Sequence, residues 1–130
     1  MIWSKDDKYE YYTESFFTSS IKSLLKGNKK VALWGYGEIG DSMCRKGKLK
    51  SKISIIVDID EKKHGLKPLN NGIVINPPEH LIDNEVDVIL IATNVYTGDI
   101  IRFIKQNIKY EVIVVTNNKS YCITNESPAG

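Results

Sequence analysis

Gly35, Gly37 and Gly40 stand at the spacing G-x-G-x-x-G directly after the apolar run Val31-Ala32-Leu33-Trp34. A buried strand that turns through this spacing into a helix aims main-chain N–H groups at an incoming pyrophosphate. The three glycines have separate steric duties. Gly35 permits the tight turn, Gly37 lets the main chain approach the phosphates without a Cβ in between, and Gly40 lets the helix press on the strand. Tyr36, Glu38 and Ile39 complete the same cradle. A second element of that chemistry follows: the apolar stretch Ile53-Ser54-Ile55-Ile56-Val57 ends in Asp58, 18 residues beyond Gly40, with Ile59 next to it. A carboxylate there accepts hydrogen bonds from both hydroxyls of a ribose and repels a 2′-phosphate, which favours NAD(H) over NADP(H). Each feature also has a plainer reading. A strand-to-helix turn can need glycine with no ligand, and an acid after a strand commonly starts a turn.

Rival chemistries fail on spacing. A P-loop would place lysine where Asp41 stands, and a carboxylate there repels a β- or γ-phosphate. An S-adenosylmethionine loop has the tighter G-x-G-x-G pattern. Tyr96 has Ile100 four residues on, so the Tyr-x-x-x-Lys pair of short-chain dehydrogenases is missing. His64 and His80 have no second ligand at metal spacing, and no G-x-S-x-G elbow occurs. Asp60, Lys62 and Lys63 read as solvated loop charges. Thr93 and Asn94, after a buried run, offer a hydroxyl and an amide to a ribose, phosphate or sugar, or equally cap the following helix. No catalytic constellation can be named, and the chain reads as a binding module rather than an enzyme on its own.

The elements that must hold these residues follow from periodicity. Tyr9, Tyr12, Phe16, Phe17, Ile21, Leu24 and Leu25 recur at helical spacing, which predicts a helix over residues 1–26 with Gly27-Asn28 as its C-cap. After the glycine loop come a helix over Ile39–Arg45, a strand over Ile53–Val57, a short strand at Ile73-Val74-Ile75 and a helical turn over Pro78–Ile82. A strand over Val86–Ala92, a helix over Asp99–Ile108 and a strand over Glu111–Val115 complete the alternation. It predicts an α/β fold: a mainly parallel five-stranded sheet in the order 3-2-1-4-5, with right-handed crossovers and helices on both faces. Three regions result: an N-terminal helix at 1–28, the nucleotide-binding domain at 29–116, and a short strand at Tyr121-Cys122-Ile123 with a tail at 117–130. The binding crevice belongs at the carboxyl ends of the strands, between the first and fourth in chain order.

Composition sets the outer limits. With 130 residues, 42% hydrophobic and 26% charged, the chain is an ordinary globular domain. No apolar stretch reaches the roughly 20 residues of a membrane span, and the N-terminus has no signal-peptide core, so a cytoplasmic location and no membrane partner are expected. Cys44 and Cys122 lack metal or disulfide spacing and read as reduced thiols. A net charge of +2 does not call for nucleic acid. The run Arg45 to Lys52 carries five positive charges in eight residues, but it lies at the amino edge of the sheet and reads as a solvated loop.

Four stretches together resemble the compact Rossmann-like domains that accompany enzymes of bacterial nucleotide-sugar and surface-polysaccharide synthesis. They are Leu33 to Gly40, Ile56 to Gly65, Ile75-Asn76-Pro77-Pro78-Glu79-His80-Leu81, and Asp87 to Asn94. Similar stretches occur in the N-terminal domains of nucleotide-sugar dehydratases and sugar acyltransferases and in the C-terminal domain of sugar C-methyltransferases. The resemblance implies that Gly35 to Gly40 and Asp58 touch a nucleotide, NAD or a nucleotide sugar. Beside a binding module acting with a biosynthetic enzyme partner stand two alternatives: a small nucleotide-sugar-modifying enzyme that completes its site as a homodimer, and a structural domain that has lost its ligand.

Overall fold

The four residues Val31–Trp34 are all buried, as are Val88–Ile91, the pattern expected of parallel strands covered on both faces. In the computed structural model, which describes residues 9–11, 26–45, 49–93, 95–116 and 119–123, these two runs pair in the middle of a sheet. The described strands are β1 (Tyr9–Tyr11), β2 (Val31–Trp34), β3 (Ile55–Val57), β4 (Ile75–Asn76), β5 (Val88–Ile91), β6 (Val112–Val115) and β7 (Lys119–Ile123). Their spatial order is β1-β7-β6-β5-β2-β3-β4. The five from β2 to β6 are parallel, with Ala32 opposite Ile55 and Ile89, and Trp34 opposite Val57 and Ile91. Read in chain order they give the expected 3-2-1-4-5.

Alternation along the central strands sorts the core into two faces. Val31, Leu33, Ile56, Val88 and Leu90 pack with Cys44 of α1 (Glu38–Arg45). Ala32, Trp34, Val57, Ile89 and Ile91 pack with Leu81 of α2 (His80–Asp83) and with Ile100 and Ile104 of α3 (Thr97–Asn107). Trp34 meets Phe103 of α3 edge-on, with ring centroids 5.4 Å apart, a favoured aromatic geometry. Tyr110 ties the end of α3 to α2: its hydroxyl donates to the Leu81 carbonyl at 2.7 Å, and burial pushes its pKa up to about 12. Two short 3-10 turns, Lys50–Lys52 and Glu61–Lys63, occupy connections expected to be irregular.

One expectation is corrected at the N-terminus. Tyr9–Tyr11, predicted as helix, is a strand antiparallel to β7, with Tyr9 opposite Tyr121 and Tyr11 opposite Lys119. Its backbone groups find partners across the sheet, and a Tyr-Glu-Tyr sequence is favourable there, so pairing at the edge overrides the helical spacing. The rest of the predicted helix, residues 1–8 and 12–25, lies outside the described residues. The short C-terminal strand is present and antiparallel to β6.

Because Ile104 is fully buried against the β2 and β5 face, Ile104→Ala should destabilise the fold by about 2–5 kcal/mol. Urea denaturation checks this, with the exposed Glu111→Ala as a control expected to change little.

Candidate functional site

Three strands end side by side: β2 runs into Gly35, β3 into Asp58 and β5 into Ala92-Thr93. Main-chain bonds fix their relative heights, with Gly35 N–H donating to the Val57 carbonyl and Ala92 N–H to that of Trp34, both at 2.8 Å. Gly35 has φ +101°, a conformation open to glycine and strained for other residues. Gly40 is required for a different reason. A Cβ there would stand 2.5 Å from the Gly35 carbonyl oxygen, so the first turn of α1 lies directly on the loop.

Gly37 differs from both. Apart from its chain neighbours, no described atom lies within 4 Å of where its Cβ would be. The first helical bond of α1 runs from Asp41 N–H to the Gly37 carbonyl at 2.9 Å, so the N–H groups just before it are those that helix geometry leaves without an intrahelical acceptor. Glu38 is exposed at this end, whereas Ile39 turns inward and packs against the core.

Asp58 is bound into the loop. One carboxylate oxygen accepts the Tyr36 N–H at 2.7 Å and the other accepts the Asp60 N–H at 2.8 Å, and the residue is 6% exposed. Its N–H donates to the Asn76 carbonyl at 2.9 Å, and its own carbonyl accepts from His64 Nε2 at 2.6 Å. That contact fixes the His64 proton on Nε2. Lys63 Nζ donates to the Tyr36 carbonyl at 2.8 Å and lies 3.7 Å from the same Asp58 oxygen that holds the Tyr36 N–H. Lys63, expected as a solvated loop charge, and His64, without a metal-spacing partner, both reach the strand end. The 3-10 turn Glu61–Lys63, opened by Asp60 accepting the Lys62 N–H at 3.0 Å, brings both back to the strand end.

The other side of the loop is held by Tyr36. Its hydroxyl donates to Asp41 at 2.6 Å, Asp41 also accepts from Arg45 Nε at 2.7 Å, and Arg45 reaches the Pro68 carbonyl at 2.9 Å. Burial and the bond to Asp41 raise the Tyr36 phenol above its ordinary range, while the Tyr36 and Arg45 bonds hold Asp41 below the usual carboxylate range. Burial, followed by the Asp41 charge, pushes the Cys44 thiol up to about 11. A thiol in that condition is a packing residue.

Of the polar pair after β5, Thr93 is half-buried and its Cβ would be 3.9 Å from a Cβ on Gly35. Its hydroxyl accepts the Val95 N–H at 3.2 Å, and its carbonyl accepts from the Thr97 hydroxyl at 3.0 Å. Thr93 therefore shapes the turn before α3, whose N-cap is Tyr96 with no side-chain bond. Asn94 lies outside the described residues. Ile59, Val95 and Tyr96, in the loops after β3 and β5, are exposed by 73%, 77% and 57%. Among the described residues no three His, Cys, Asp or Glu side chains are grouped to hold a metal ion. None of the described helices is long and apolar enough to cross a membrane.

A family model described as C2185-like, N-terminal, matches residues 27–114. The chain belongs to the C2185-like family. No curated protein matches it. Among solved structures, the C2185-like chain is similar to RSP, a Rex-family repressor, with 15% identity and a TM-score of 0.53 over 79% of this chain and 59% of that one. It is likewise similar to RSP in complex with β-NADH, with 17% identity and a TM-score of 0.51, covering 79% of this chain and 60% of that one. At such identities the likeness is one of fold, and the C2185-like chain spans about three fifths of the repressor's length.

Asp58→Asn tests the clamp. The amide keeps one acceptor but turns a donor toward the other main-chain N–H, so a buried donor loses its partner. A loss of about 1–3 kcal/mol is expected, read by urea denaturation, with faster hydrogen exchange at the Tyr36 or Asp60 amide.

Proposed function

We propose that this C2185-like domain binds an adenine dinucleotide of the NAD(H) type at the carboxyl ends of β2, β3 and β5. The observation that carries the reading is the contrast among the loop glycines. Gly35 is needed for its positive φ and Gly40 for close packing, whereas the space around Gly37 is open. The fold gives no steric reason for glycine at 37. A pyrophosphate approaching the main chain does.

In this reading the N–H groups of Gly37, Glu38 and Ile39 meet the pyrophosphate, and Gly35, Tyr36 and Gly40 shape the cradle. Asp58 orients the loop from below and stands at the ribose end with Lys63. Thr93 stands on the side toward β5, Asn94 next to it in the sequence is kept as a candidate, and the exposed Ile59, Val95 and Tyr96 offer apolar contact to the adenine. Further support comes from a structure of similar fold that was solved with β-NADH. We read the function as binding: Tyr36, Asp58 and Thr93 at the crevice are engaged in holding loops, so catalysis would need groups from a partner.

A nucleotide sugar is the competing ligand that the sequence resemblance implies. Gly37→Val distinguishes a phosphate cradle from a structural turn. The added side chain meets open space in the protein, so the thermal midpoint should hold, while NADH affinity by calorimetry should fall at least about tenfold, or 1.4 kcal/mol. Unchanged NADH affinity, or tight binding of UDP-glucose with none of NADH, would overturn the dinucleotide assignment.

A further inference from the structure

The ribose end of the crevice contains a carboxylate and an ammonium, and their exposures are unequal. Asp58 is 6% exposed with each oxygen already accepting a main-chain N–H, whereas the Lys63 side chain is 35% exposed. An ammonium has three donors. One goes to the Tyr36 carbonyl, and the contact to Asp58 is a 3.7 Å ion pair rather than a short hydrogen bond. The group accessible to a ribose is therefore a cationic donor, and the anion behind it is compensated.

This reverses the selectivity that an aspartate after the second parallel strand suggests. A free carboxylate would accept the 2′-hydroxyl and repel a 2′-phosphate. Here each carboxylate oxygen already accepts a main-chain N–H, its charge is paired with Lys63, and the donor that remains suits an anionic oxygen. Asp60 and Glu61 are exposed acids and Lys62 an exposed cation, and the Lys62 N–H on Asp60 leaves that charge in place, whereas Lys63 is the cation held at the strand end by its bond to the Tyr36 carbonyl.

We propose that Lys63 is the specificity-determining residue of this site, and that the domain accepts a 2′-phosphorylated adenine dinucleotide at least as well as the unphosphorylated one. The proposal rests on the dinucleotide reading above.

The wild-type chain is titrated by calorimetry with NADPH and NADH, and with the fragments 2′,5′-ADP and 5′-ADP. NADPH and 2′,5′-ADP should bind as tightly as their unphosphorylated counterparts, or more tightly. Lys63→Met should then weaken NADPH by about tenfold or more relative to NADH, the usual size for a lost charged hydrogen bond, and Lys63→Arg should restore much of the preference. The fragment comparison on the wild type stands even if Lys63→Met folds poorly. A wild type that binds NADH or 5′-ADP about tenfold tighter than the 2′-phosphorylated ligand overturns the proposal while leaving the dinucleotide reading intact, as does an unaltered ratio in a folded Lys63→Met. Binding of neither dinucleotide overturns both.

Discussion

Asp58 sits almost fully buried at the carboxyl end of β3 and commits one oxygen to the Tyr36 N–H in the glycine loop and the other to the Asp60 N–H in its own turn. A carboxylate in that position is stable only while its oxygens are paired, because an unsatisfied buried charge is costly. The two strand ends are thereby tied to each other through a side chain as well as through the ladder. Lys63 closes the arrangement from outside by donating to the Tyr36 carbonyl. Both main-chain groups of Tyr36 are thus held from the β3 side, and the path of the loop toward Gly37 is set before any ligand arrives. Such preorganisation reduces the ordering cost of binding.

The sheet makes that clamp possible. β2 and β3 run parallel in a fixed register, with Trp34 opposite Val57, so Gly35 and Asp58 emerge at the same level. Burial of both strands on two faces prevents slippage, since a shift of one residue would exchange the Leu33 and Trp34 faces. On the helical side, Gly40 admits α1 to within contact of the loop, and the Tyr36–Asp41–Arg45 chain holds helix and loop together. The turn is held on both sides, and the space around Gly37 is open.

Much of this was legible in the sequence because it follows from short-range patterns. Near-continuous apolar runs identified the buried parallel strands, and the glycine spacing located the turn between β2 and α1. What could not be read was long-range. Tyr9–Tyr11 has the spacing of a helix and becomes a strand because β7, more than a hundred residues later, offers it an edge. The partners of Asp58 were hidden for a similar reason: an acid after a strand looks the same whether it awaits a ribose or braces a loop. Lys63 and His64 lie in a polar, turn-rich segment in which nothing local distinguishes them from their solvated neighbours, and only the 3-10 turn returns them to the strand end. Thr93 carried two candidate roles, and the bond from the Val95 N–H shows it shaping the turn.

The account is tested most directly by following the loop amides in proton–nitrogen correlation spectra as NADH is added to the wild-type chain. Gly37, Glu38 and Ile39 should show the largest shifts, because the proposed site turns their N–H groups to the pyrophosphate. The Tyr36 amide should move little, since Asp58 already holds it. Shifts confined to residues outside the glycine loop, or a large shift at Tyr36 with none at Gly37, would contradict a preorganised phosphate cradle.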